Sequence, residues 1–128
     1  MTFRARSILI VEDSEDSREM LKELLESFGH DVDVAGDGPE ALAKLATPGR
    51  DVALIDVGLP GIDGYEVARR IRVLPTSAEL YLVALTGYGG PEVEARAEVA
   101  GFDLHMTKPV DIDRLTDVLA RGVRTAAR

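Results

Sequence analysis

Four consecutive apolar residues, Val52-Ala53-Leu54-Ile55, end on the carboxylate of Asp56 and run at once into the turn Val57-Gly58-Leu59-Pro60-Gly61. An apolar run without alternation reads as a strand covered on both faces, the pattern of a parallel sheet. In open α/β sheets, ligands gather outside the carboxyl ends of the strands. A carboxylate that closes such a strand is therefore a candidate for function, with an ordinary turn residue as the alternative.

The rest of the chain repeats the theme. Ser7-Ile8-Leu9-Ile10-Val11 is a second buried run and ends in Glu12-Asp13. Met20, Leu21, Leu24, Leu25 and Phe28 recur at helical spacing up to Gly29, and Asp16 with Glu19 predicts the capped start of that helix. Asp31-Val32-Asp33-Val34-Ala35 alternates, as an edge strand would. Asp37 followed by Glu40 opens a helix with Ala41, Leu42 and Leu45 inward, and Thr47-Pro48-Gly49 stops it. Asp63-Gly64-Tyr65-Glu66 opens another, with Val67, Ala68 and Ile71 inward. A strand over residues 81–85 ends at Thr86, and Pro91 and Gly101 bracket a helix. A strand over residues 102–107 reaches Lys108-Pro109, and Ile112, Leu115, Val118 and Leu119 mark the last helix. Five strands alternating with five helices on short connections predict one α/β domain: a parallel sheet with helices on both faces. That domain is expected to fill residues 1–128, with a core of about residues 7–120.

Charge and composition narrow the partners. A net charge of −8 opposes general attraction to nucleic acid or anionic lipid. Arg69-Arg70-Arg72 and Arg121-Arg124-Arg128 read as solvated helix faces rather than partner sites. No apolar run approaches the roughly 20 residues of a membrane helix, and the opening residues Met1-Thr2-Phe3-Arg4-Ala5-Arg6 lack the long apolar segment expected of a secretory signal. Without cysteine there are no disulfides or thiolate metal sites, and a cytoplasmic setting is expected.

Parallel strands would bring Glu12, Asp13, Asp56, Thr86 and Lys108 to one edge of the sheet. Each has a structural alternative: a helix cap for Glu12 or Asp13, a strand-end residue for Thr86, a solvated cation for Lys108. Together they make complementary chemistry. Three neighbouring carboxylates need cations, and hard oxygen ligands suit a divalent ion such as Mg2+. An ion and an ammonium could steady the oxygens of a phosphoryl group in transfer, with Asp56 as nucleophile.

Ile10-Val11-Glu12-Asp13, Leu54-Ile55-Asp56, Leu59-Pro60-Gly61-Ile62-Asp63-Gly64, Ala84-Leu85-Thr86-Gly87 and Lys108-Pro109, in this order, resemble the receiver domain of two-component response regulators. The resemblance implies a flavodoxin-like (βα)5 sandwich with strand order 2-1-3-4-5. It implies Asp56 as phosphoacceptor, Asp13 and Asp56 as direct ligands of Mg2+ or Mn2+, the Gly58 backbone carbonyl as another, and Glu12 acting through water. It implies Thr86 as the switch hydroxyl, Lys108 as the phosphate-contacting lysine and a cis Lys108–Pro109 peptide bond. The phosphodonor would be a histidine kinase or a histidine phosphotransfer protein. The readout would be a protein partner on the fourth helix, fifth strand and fifth helix, roughly residues 91–119. Such a domain is not an enzyme beyond its own phosphorylation and dephosphorylation.

His105 departs from the family, which often carries Tyr or Phe there; the expectation is a strand residue facing solvent or a partner, with a rotating switch as the alternative. Gly58 and Tyr88 flank the phosphoryl site, one small and one bulky. His30 is expected on a surface loop. An Asp-nucleophile phosphatase would place a second acid where Gly58 stands, and a dinucleotide fold would replace Glu12-Asp13-Ser14-Glu15-Asp16 with glycines. A degenerate receiver would lack key side chains that are present here. The remaining residues leave no room for an output module, so a stand-alone receiver or a piece of a longer chain is expected, with a leaning to receivers of hybrid sensor histidine kinases.

Overall fold

The computed structural model describes residues 5–121. Its elements are β1 (Ser7–Val11), α1 (Glu15–Ser27), β2 (Asp31–Ala35), α2 (Gly38–Leu45) and β3 (Val52–Asp56). Then come α3 (Gly64–Val73), a 3-10 turn (Pro75–Ser77), β4 (Tyr81–Thr86), α4 (Pro91–Ala100), β5 (Leu104–Thr107) and α5 (Ile112–Arg121). All strand pairs are parallel, in the order β2-β1-β3-β4-β5. This is the flavodoxin-like arrangement, with β2 and β5 at the edges.

Alternation along the strands builds a core on each face of the sheet. Leu9, Val11, Ala53, Ile55, Leu82 and Ala84 pack with Ala41, Val67, Ile71 and Ala97 of α2, α3 and α4. Ile8, Ile10, Val52, Leu54, Val83, Leu85 and Met106 pack with Leu25 of α1 and with Leu115 and Leu119 of α5. Each of these strand residues is at most 3% exposed, so every central strand must be apolar on both sides. That explains the unbroken apolar runs.

Local details correct several expectations. The cap of α1 is Ser14, whose hydroxyl accepts the Ser17 N–H at 3.3 Å, so Asp16 falls in the first turn instead of preceding it. β5 begins at Leu104 rather than at Phe102: the Phe102 N–H bonds back to the Ala97 carbonyl of α4 at 3.0 Å, past Gly101 in the left-handed conformation at φ 112°, and the Asp103 N–H bonds the Leu82 carbonyl of β4 at 2.8 Å. His30 is buried, not a surface residue, because Nδ1 accepts the otherwise unpaired N–H of Arg6 at 3.0 Å. Arg6 is buried too, and its Nε donates to the Leu119 carbonyl at 2.7 Å, a cation against the C-terminal end of α5.

The arginine patch on α3 divides. Arg69 and Arg70 are exposed and both pair with Glu66 at 3.0 Å. Arg72 turns inward to the carbonyls of Ser77, Leu80 and Gly101 and pairs with Asp103 at 2.7 Å. Arg124 and Arg128 lie outside the described residues. Among the described residues, no helix is long and apolar enough to cross a membrane.

Candidate functional site at the carboxyl edge

The two-residue period of the strands carries three side chains to the same place. Glu12 continues the row Ile8–Ile10, Asp56 the row Val52–Leu54, and Lys108 follows Met106, all on the face shared with α1 and α5. Lys108 Nζ accordingly lies 3.1 Å from Glu12 Oε1 and 3.1 Å from Asp56 Oδ2. Glu12 and Asp56 are both buried, whereas Lys108 is about a third exposed, so the ammonium closes the outer side of an acidic pair.

The backbone completes the clamp. The Gly58 N–H donates to Asp56 Oδ1 at 2.9 Å, and the Ser14 N–H to Glu12 Oε2 at 3.2 Å. Gly64 allows α3 to begin hard against the end of β3; a Cβ there would lie 2.4 Å from Val57 Cα and 2.7 Å from the Asp56 carbonyl. The Lys108–Pro109 peptide bond is cis.

Electrostatics show a surplus of negative charge. Burial raises the affinity of Glu12 for a proton, and the neighbouring Asp56 carboxylate adds to this, against hydrogen bonds from Lys108 and Ser14. Burial works against the Lys108 ammonium, but Glu12 and Asp56 together outweigh it and hold Lys108 more firmly protonated than usual. Asp13 is exposed at the rim, and carboxylate oxygens of Glu12, Asp13 and Asp56 all lie within 4.8 Å of one another. Hard oxygen donors with an incompletely neutralised charge and one hydrated side fit a divalent cation such as Mg2+.

Thr86 follows Leu82 and Ala84 onto the opposite face and is buried, its hydroxyl accepting the Tyr88 N–H at 3.1 Å. The Lys108 N–H donates to the Thr86 carbonyl at 2.7 Å, so the two ends are joined through the backbone. Of the expectation that His105 faces solvent or a partner, the solvent half does not hold. The His105 side chain is 10% exposed, with Nε2 3.2 Å from the Tyr88 carbonyl and Nδ1 4.0 Å from Glu94 of α4. The ring thus lies between the Tyr88 backbone and Glu94 of α4, and it lines a cavity together with Ala97, Phe102 and Arg114. Arg18 was not singled out from the sequence; its Nη1 donates to the carbonyls of Glu12 and Asp13 at 3.3 and 3.5 Å. The available signal was a lone cation in an otherwise acidic segment.

Fold and site together define a doubly wound α/β domain whose chemistry sits at the carboxyl ends of β1, β3 and β5. Residues 8–120 match the model of the response regulator receiver domain, and the chain belongs to that family. It is similar to an uncharacterized 14.6 kDa protein of Leptolyngbya boryana, 38% identical over 86% of this chain and 84% of that one. It is also similar to sensor histidine kinase RcsC of Salmonella typhi, 36% identical over 88% of this chain but only 12% of that protein's length. Among solved structures, Vibrio cholerae chemotaxis protein CheY4 aligns with a TM-score of 0.85 and 30% identity, over 92% of this chain and 98% of that one. The receiver domain of a Pseudomonas aeruginosa sensor histidine kinase aligns with a TM-score of 0.82 and 28% identity, over 92% and 97%, and has a magnesium ion coordinated in its active-site cleft.

Proposed function

We propose that this domain accepts a phosphoryl group on Asp56 from a phosphohistidine and converts that event into a changed surface for a protein partner. The observation that carries the reading is the clamp on Asp56, a buried carboxylate held between the Gly58 N–H and Lys108 beside Glu12 and Asp13. Asp13, Asp56 and the Gly58 carbonyl would hold a Mg2+ ion directly, and Glu12 through water. Bound there, the ion would neutralise charge on the incoming phosphoryl oxygens.

The chain's own groups supply the rest. A carboxylate oxygen of Asp56 attacks phosphorus, the P–O bond forms as the P–N bond breaks, and the imidazole nitrogen leaves with the electron pair and takes up a proton. Lys108 meets the phosphoryl oxygens and loses part of its contact with Glu12. Thr86 supplies a hydroxyl on the other side. Because Thr86 is bonded to the Lys108 backbone and its loop is bonded to His105, movement there reaches α4, β5 and α5, where a partner would read it. Similarity to a sensor histidine kinase supports a histidine kinase or a histidine phosphotransfer protein as donor.

The test is intact-mass spectrometry after incubation with acetyl phosphate, with Mg2+ or with EDTA, beside Asp56→Asn. A single phosphoryl increment that needs both Mg2+ and Asp56 is the expected result. An increment retained in Asp56→Asn overturns the assignment of the acceptor. With Asp56 unmodified, Mg2+-dependent phosphate release above the Asp56→Asn background would indicate fast turnover on this residue.

A further inference from the structure

We infer that Arg18 is a positioning residue that sets the geometry of the acidic pocket, and through it the affinity for a divalent cation. The inference rests on the proposed Mg2+ reading of Glu12, Asp13 and Asp56. Arg18 is the fourth residue of α1 (Glu15–Ser27), and its guanidinium folds back to the backbone of Glu12 and Asp13, which precede the helix. Nη1 donates to the Glu12 carbonyl at 3.3 Å and to the Asp13 carbonyl at 3.5 Å.

The Asp13–Ser14 peptide plane is thereby held at both ends. Its carbonyl meets Arg18, and its N–H donates to Glu12 Oε2 at 3.2 Å. Fixing that plane fixes the Glu12 carboxylate, whose other oxygen meets Lys108 at 3.1 Å. A chain of hydrogen bonds thus runs from Arg18 through one peptide group to Glu12 and Lys108, and Lys108 also holds Asp56.

The guanidinium is placed there at the cost of one hydrogen bond, in space that the neighbouring loop leaves for it. Its Nε–H is buried and has no acceptor among the described residues. The loop after β2 carries no side chain to obstruct it: a Cβ on Gly36 would lie 3.3 Å from Arg18 Nη1 and 3.9 Å from Cζ. A cation held only for its charge would sit with its donors paired or in water. Here the fork is wedged between two loops, where it can orient carbonyls.

Charge and positioning make opposite predictions. If Arg18 acted only by its charge, removing it would let a cation bind more tightly to the acidic pocket. If it positions the ligands, removing it loosens them and binding weakens. Outer partners that orient ligands typically change metal affinity by about tenfold or more.

The experiment is an NMR titration of the apo protein with Mg2+, following amide shifts near the pocket, for wild type, Arg18→Met, Arg18→Lys and Asp13→Asn. The expected result is a Kd for Mg2+ about tenfold higher in Arg18→Met. A smaller loss is expected in Arg18→Lys, whose single ammonium cannot reproduce the fork. Faster exchange of the Ser14 amide in metal-free Arg18→Met is expected as well. An unchanged or lower Kd in Arg18→Met overturns the inference while leaving the Mg2+ reading intact. Should Arg18→Met fail to fold, wild-type affinity in Arg18→Lys overturns it instead. Wild type that binds no Mg2+, or binds it equally well as Asp13→Asn, overturns both.

Discussion

Replacing Lys108 by Met takes away the ammonium that separates Glu12 from Asp56 and leaves two buried carboxylates facing each other. With ligand oxygens within 4.8 Å, their repulsion is about 1 kcal/mol in a water-like medium and about 3.5 kcal/mol at an effective dielectric of about 20. Lys108 is about a third exposed, so water already screens the cluster and the lower half applies, about 1–2 kcal/mol. A domain of this size loses roughly 4 °C of melting temperature per kcal/mol, so Lys108→Met in EDTA at pH 7.5 should melt about 4–8 °C below wild type. The deficit should shrink as pH falls toward 5. Burial already raises the proton affinity of Glu12, and loss of its Lys108 hydrogen bond raises it further, so the repulsion is relieved by protonation. It should also shrink when Mg2+ is added, because an ion held by the folded pocket would meet more uncompensated charge in the variant. Thermal melts by circular dichroism at pH 5 and 7.5, with and without Mg2+, measure all of this. A variant that melts with wild type in EDTA at pH 7.5, or a deficit unaltered by acid, would refute the electrostatic reasoning.

Gly64→Ala should lower the urea midpoint by an amount equivalent to about 1–3 kcal/mol, because backbone, not a flexible side chain, occupies the space the methyl needs. The same variant should slow phosphorylation of Asp56, whose carbonyl is one of the displaced atoms. An unchanged midpoint would show that α3 does not approach β3 this closely. Burial, reinforced by the Arg6 charge, holds His30 below its ordinary pKa of 6.5. Its stabilising contribution is therefore fully present above about pH 6.5 and is lost as pH falls through the depressed folded value. Urea midpoints measured from pH 8 to pH 5 should fall more steeply for wild type than for His30→Gln, and parallel curves would remove His30 from the account.

Much of this site was legible because strand periodicity and strand ends are local properties. Val52–Ile55 and Ile8–Val11 are apolar at every position, and only a strand covered on both faces requires that. Once the strands were parallel, Glu12, Asp56 and Lys108 had to share an edge, and the structure brings them to salt-bridge distance. The details that failed depend on neighbours remote in sequence. His30 looks like a loop residue until the N–H of Arg6, 24 positions earlier, needs an acceptor. Arg72 looks like part of an exposed basic face until two loops present three carbonyls and a carboxylate to it. His105 looks like an exposed strand residue until the Tyr88 carbonyl and Glu94 of α4 come up to its two ring nitrogens.

By itself, then, the sequence determined the layering of the fold and which side chains stand at the carboxyl edge, since both follow from the periods of strand and helix. Only the tertiary structure decided how those side chains are held: the sharing of Lys108 between two carboxylates, the bracing of the Glu12-Asp13 turn by Arg18, and the close approach of Gly64 to Asp56. Such contacts join residues from different elements at distances of a few ångströms, and no local pattern encodes a distance between segments that meet only when the chain has folded.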